Sequence, residues 1–146
     1  MSKKLHEKLN EYLANQQVMY IKLHNLHWYV SGSSFFTLHA KLEELYDQTA
    51  EIIDELAERM LAIGASPVGS MKKALSLTKV KELDDKIISG EDTVRALQND
   101  VEYWIKDSKE IVKLAEDAED NVTADLFNEY LAEYEKLAWM LKAYLQ

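Results

Sequence analysis

Four side chains able to hold a metal ion stand at His27, His39, Asp54 and Glu58. They fall within one run, HWYVSGSSFFTLHAKLEELYDQTAEIIDELAE. The chain has no cysteine, which excludes disulfides and thiolate metal sites. Imidazole and carboxylate ligands suit iron, manganese or zinc better than copper(I). Asp54 and Glu58 are four apart and share a helix face. His27 and His39 flank a turn, Tyr29-Val30-Ser31-Gly32-Ser33. Gly32 can take the left-handed backbone that ends a helix, and Ser34 is placed to cap the next. A helical hairpin folded there sets the two imidazoles side by side. The acids lie far from them, because the fifteen residues from His39 to Asp54 make about 22 Å of helix. One metal ion cannot bridge that gap. Either the two pairs are unrelated, or a second copy of the chain closes the site. Antiparallel pairing about a two-fold axis near Tyr46 and Asp47 brings His39 of one copy opposite Asp54 of the other. An isologous contact of that kind makes two sites per dimer.

The elements that must position these groups are long helices. Leu5, Leu9, Leu13, Tyr20 and Leu23, continued by His27 and Trp28, predict one amphipathic helix of about 25 residues. Leu38, Leu42, Leu45, Thr49, Ile52, Leu56, Met60 and Ile63 step by fours and threes, which is a bundle seam from about Ser34 to Ile63. Gly64-Ala65-Ser66-Pro67 ends it. The stretch to Gly90 is irregular, with a short helix predicted at Ser70–Leu75. Ser89 and Asp92 read as a cap, followed by a third helix through Val94, Leu97, Val101, Trp104, Ile105, Ile111, Val112 and Ala115. A polar break from Asp117 to Asn121 precedes a fourth, with Leu126, Phe127, Tyr130, Tyr134, Leu137, Leu141 and Tyr144. The expected fold is all-α: a ferritin-like four-helix bundle with a long crossover, carrying the short helix, between helices two and three. One domain over residues 1–146 is expected.

Composition agrees with that class. The chain is 47% hydrophobic and 29% charged, with one proline and four glycines, so it is globular and poor in loops. The N-terminus, MSKKLHEKLNEY, is interrupted by charge and does not read as a signal peptide, and no apolar run approaches a membrane span. A cytoplasmic protein without a membrane partner is expected. A net charge of −9 opposes contact with nucleic acid over most of the surface and suits the attraction of cations.

Beside the apolar seam of the second helix runs a second stripe: His39, Glu43, Asp47, Glu51, Asp54 and Glu58. Taken alone it reads as a solvated acidic face. Few lysines dilute it, however, and it begins at a histidine that faces another across the turn. The usual di-iron device of four-helix bundles, Glu-x-x-His on two helices, is missing. Lys3, Ile21, His24 and Phe36 stand three residues before the four histidines, and none is Glu. That pushes a metal site towards a subunit interface. His24 reads as a supporting or surface residue, and His6 as solvent-exposed.

The runs Lys22-Leu23-His24-Asn25-Leu26-His27-Trp28-Tyr29-Val30, Phe35-Phe36-Thr37-Leu38-His39, Glu43-Glu44-Leu45-Tyr46-Asp47 and Asp54-Glu55-Leu56-Ala57-Glu58-Arg59 resemble the Dps family. These are mini-ferritins, named as DNA-binding proteins from starved cells. The resemblance covers essentially the whole chain. It implies a hollow homo-dodecamer that oxidises Fe(II), preferably with hydrogen peroxide, and stores ferric mineral. His27 and His39 of one subunit with Asp54 and Glu58 of its partner would be the ferroxidase ligands, where zinc or manganese could compete. Trp28 would quench stray oxidising equivalents beside the site. Glu43 and Glu44 match positions where mineral nucleates, although Ala40 replaces an acid that some relatives carry. Asp120 and Asp125 match pore-lining acids, with Asn121 where some relatives have another. A DNA-protection protein bound to the nucleoid is the alternative. Direct DNA binding is expected to be unlikely, since only Lys3 and Lys4 precede the first helix and no tail follows Gln146.

Overall fold

The computed structural model describes residues 3–146. The elements in order are α1 (Lys3–Tyr29), β1 (Val30–Ser31), α2 (Phe35–Ala62), α3 (Met71–Leu77), β2 (Ile88–Ser89), α4 (Gly90–Asp117) and α5 (Asn121–Tyr144). The fold is the all-α one expected, four long helices with short α3 in the crossover from α2 to α4. Lys3 and Lys4 belong to α1 itself and do not precede it. The chain divides into two compact units. One is Leu9–Thr93; the other is Val94–Gln146 with the start of the chain through Lys8.

Within Leu9–Thr93 the predicted seam of α2 holds. Leu38, Leu42, Leu45, Thr49, Ile52, Leu56 and Met60 are all buried. Gly32 has φ +107° and its carbonyl accepts from the Phe35 N–H at 3.1 Å, so a side chain there would be strained. Ser34 occupies the N-cap position of α2, but its hydroxyl makes no cap bond. Its carbonyl serves instead, accepting from Leu38 N–H at 2.9 Å and from Thr37 Oγ1 at 3.1 Å. At the far end Gly64, at φ +85°, closes α2. Ala65 N–H bonds back to the Met60 carbonyl at 2.8 Å and Gly64 N–H to that of Leu61 at 3.1 Å. This is a Schellman stop.

The sequence reading contains no strand, yet Val30 and Ser31 pair in parallel with Ile88 and Ser89. Two residues are too few for alternation to register. Ser31 Oγ adds a bond to the Ile88 carbonyl at 3.1 Å, so the crossover is fastened to the turn that carries His27 and His39. Amide side chains of α1 hold the rest of the crossover. Asn10 donates to Ser66 O at 2.9 Å and accepts from Val68 N–H at 2.8 Å. Gln17 donates to Val68 O at 3.0 Å, and Asn25 to Asp84 O at 3.3 Å. Fully buried Asn15 accepts from Lys79 N–H at 2.6 Å and Thr78 Oγ1 at 2.7 Å. An irregular segment must satisfy its backbone groups with side chains, and these four supply them. Ser70 caps α3 by accepting from Lys73 N–H at 3.3 Å.

In the other unit, Val94, Leu97, Val101, Trp104, Ile111 and Ala115 of α4 are buried, as are Phe127, Tyr130, Tyr134, Leu137 and Leu141 of α5. The Trp104 and Tyr134 rings stack at 5.9 Å. Lys8 Nζ lies 2.6 Å from the nearly inaccessible Asp107 carboxylate and 3.3 Å from Glu110. Glu119 closes α4 in the left-handed region, at φ 60°, and Asp120 N–H bonds to the Ala115 carbonyl at 2.8 Å.

Candidate metal centre

His27 sits in the last turn of α1 and His39 in the second turn of α2. The short turn between the helices folds them face to face, and the rings stack with centroids 3.6 Å apart, 14° from parallel. Each ring also bonds to the other residue's backbone. His27 Nδ1–H donates to the His39 carbonyl at 2.7 Å, and His39 Nδ1–H donates to the His27 carbonyl at 2.7 Å. A carbonyl only accepts, so the proton lies on Nδ1 in both rings. In the neutral ring the Nε2 lone pair is then free, which is the tautomer a metal ligand needs. His27 is buried and His39 half-buried.

The rings continue in a ladder. Phe35 stacks on His39 at 4.9 Å, and Tyr46 of α2 meets His27 edge to face at 5.2 Å. Tyr46 also stacks on His24 at 3.8 Å. The His24 Nδ1–H donates to the Tyr20 carbonyl at 2.8 Å. Partial burial raises the Tyr46 phenol above its ordinary pKa, and the charges of Glu43 and Asp47 and the Tyr20 phenol add to this. Trp28 is 66% exposed, and its ring meets His24 at 5.5 Å. His6, expected in solvent, is half-buried.

Asp54 and Glu58 are exposed on the same helix as His39. Because α2 runs unbroken from Phe35 to Ala62, they stand about 22 Å and more from it. Among the described residues no three His, Asp or Glu side chains gather to hold a metal within one chain. The fold therefore unites the two histidines and leaves the two acids apart from them. Glu43 and Glu44 are exposed, and Glu44 is 3.5 Å from Lys41. Asp120 is the N-cap of α5: its carboxylate accepts from Thr123 N–H at 3.1 Å and from Thr123 Oγ1 at 2.5 Å. Asp125 is exposed. Sequence reasoning placed Tyr46 only at the two-fold axis and gave Tyr20 no site role. Its available signal was the i, i+4 series Tyr20, His24, Trp28, which puts three rings on one face of α1.

A ferritin-like domain model matches residues 6–146. DNA protection during starvation protein 2 of Bacillus anthracis is 43% identical over 145 residues, covering 99% of both chains. The crystal structure of Dps from Staphylococcus aureus superposes with a TM-score of 0.95 at 41% identity, covering 99% of this chain and 97% of that one. Dps from Listeria innocua, solved after soaking with zinc, superposes with a TM-score of 0.93 at 36% identity over 97% and 95% of the two chains.

These relatives correct the expectation that DNA is an unlikely partner, since one matching nearly end to end is a DNA-protection protein. The physical error lay in arguing from net charge and tails. Net charge averages over a surface, whereas phosphate contacts are local. Lys106, Lys109 and Lys113 are exposed along one face of α4, and Lys72, Lys73, Lys79 and Lys81 are exposed in the crossover. By its unbroken match to the ferritin-like domain, and by identity and fold shared with these relatives, the chain belongs to the Dps family of ferritin-like proteins.

Proposed function

We propose that this protein protects DNA in the cytoplasm as a Dps ferroxidase, oxidising Fe(II) and storing the ferric product inside a shell of twelve copies. Each chain acts as one ferritin-like domain, a reading supported by the family match over 6–146. The observation that carries the proposal is the pair of histidines with both Nδ1–H groups committed to carbonyls. Two fixed Nε2 atoms then offer half a coordination sphere on rings that cannot turn away. Asp54 and Glu58 of the partner subunit supply the other half. Their carboxylates favour Fe(III) once it forms, whereas imidazole holds Fe(II) and also tolerates zinc or manganese as competitors.

Iron is the substrate. Peroxide takes one electron from each of two ferrous ions, its O–O bond breaks, and with two protons it leaves as two waters. Iron and peroxide are consumed together, so neither remains to make hydroxyl radicals near DNA. Glu43 and Glu44 offer carboxylates for nucleating the mineral, and Asp125 offers negative charge where iron is admitted. Asp120, engaged as a cap, contributes there through its field. Trp28 takes up stray oxidising equivalents beside the site.

A stopped-flow titration of the metal-free protein with Fe(II), first under peroxide and then under oxygen, tests the reaction. Saturable oxidation, faster under peroxide, is expected. Oxidation no faster than in protein-free buffer would overturn the ferroxidase reading. Nicking of plasmid DNA by Fe(II) and peroxide should fall when the protein is present. A gel-shift salt series would then separate protection by contact from protection by iron removal.

A further inference from the structure

The ring ladder beside the histidine pair contains a residue whose chemistry the proposed reaction does not use. Tyr46 meets the His27 ring at 5.2 Å, at 90°. Its other neighbours are aromatic too: His24 stacked at 3.8 Å, and Tyr20 edge-on at 6.2 Å. Phenylalanine at 46 would fill the same space. What the tyrosine adds is a phenol, which can give up one electron and one proton at modest cost. Two-electron oxidants create a need for that. A peroxide that reaches a site holding a single ferrous ion finds one electron where it needs two.

We propose that Tyr46 supplies the missing electron through His27, with Tyr20 and His24 as the rings over which the hole is shared. The inference rests on the ferroxidase reading above. One Fe(II), one peroxide, one Tyr46 phenol and one proton from water give Fe(III), one tyrosyl radical and two waters. Peroxide gains two electrons, one from iron and one from the phenol, and its O–O bond breaks. The phenolic proton goes to water, which reaches the half-buried side chain. A later Fe(II), with one proton, returns the electron and restores the phenol. Hydroxyl radical is never released. Trp28 is placed differently: its ring contact is with His24, and it is 66% exposed. It stands at the end of the ladder, whereas Tyr46 touches the ligand.

The test uses assembled full-length protein loaded with fewer than one Fe(II) per site, mixed with hydrogen peroxide and frozen for electron paramagnetic resonance. Ferric formation is followed in parallel. Wild-type protein should give a tyrosyl signal, identified by its narrowing when ring-deuterated tyrosine is incorporated. Tyr46→Phe, which keeps the ring packing, should lose that signal and release hydroxyl radical to a spin trap. Trp28→Phe should keep the tyrosyl signal. Ferric formation without a tyrosyl signal, or a signal that survives Tyr46→Phe, overturns the assignment while leaving the ferroxidase reading intact. No ferric formation in the wild type overturns both.

Discussion

His39 does two things through its two ring nitrogens, and substitution can separate them. Nδ1–H holds the His27 carbonyl and Nε2 faces the site. Alanine removes both functions and leaves a carbonyl in the last turn of α1 without its donor. That should cost about 1–2 kcal/mol, the worth of a hydrogen bond plus some of the stacking. Asparagine carries a side-chain N–H that can reach the same carbonyl, but nothing in the place of Nε2. His39→Asn should therefore recover part of the melting temperature lost by His39→Ala, and neither variant should oxidise Fe(II) at an appreciable rate. If the asparagine variant oxidises iron at the wild-type rate, His39 is not a ligand. The histidine pair was legible from sequence because a turn of known length separates it. Tyr46 was not seen as part of the site, because an aromatic on a helix looks the same whether it fills a core or borders a metal.

At the scale of elements, helix ends hold the testable detail. Glu119 occupies a left-handed position without being glycine. Glycine there should stabilise the protein by up to about 1 kcal/mol, the relief of strain exceeding the added freedom of the unfolded chain. A thermal shift downward for Glu119→Gly would show that the side chain makes a compensating contact. The two acids nearby should part company. Asp120→Ala removes a cap and should cost about 1 kcal/mol. Asp125→Asn, at an exposed position, should leave stability alone but slow iron oxidation at low salt, with the loss shrinking as ionic strength rises. Equal rates for Asp125→Asn and wild type in low salt would remove Asp125 from the uptake route. The long helices were readable because seven buried positions of α2 repeat at helical spacing. The stop at Gly64 was readable for its chemistry. Ser34 and Glu119 were not, since in each the backbone carries the hydrogen bonds that the side chain was expected to decide.

For the whole molecule, the decisive question is whether each site draws on two chains. His27→Ala and Asp54→Ala shells should each be inactive, because every site loses a ligand. Dissociated and reassembled together, the two variants form mixed dimers in which one site carries both lesions and the other neither. Random pairing makes about half the dimers mixed, so about a quarter of all sites should recover. Sites built within one chain would recover nothing, and verified mixed shells without activity would refute the shared site. That inference was available from sequence because helix rise is fixed, and α2 is indeed continuous between His39 and Asp54. The role of DNA was not available, since charge distribution depends on the folded surface.

The four amide side chains that α1 lends to the crossover have a consequence for local opening. Residues 65–70 and 78–86 have little hydrogen bonding of their own and should behave as a zip whose teeth are Asn10, Asn15, Gln17 and Asn25. Cutting one tooth should loosen its neighbours as well. Asn15→Ala strands the Lys79 N–H and the Thr78 hydroxyl together. Losing one to two such bonds should raise the open population about tenfold. Trypsin cleavage after Lys79 and Lys81 reads that population directly when closing outpaces cleavage. Unchanged cleavage in Asn15→Ala would mean that the β1–β2 pairing alone keeps this stretch shut.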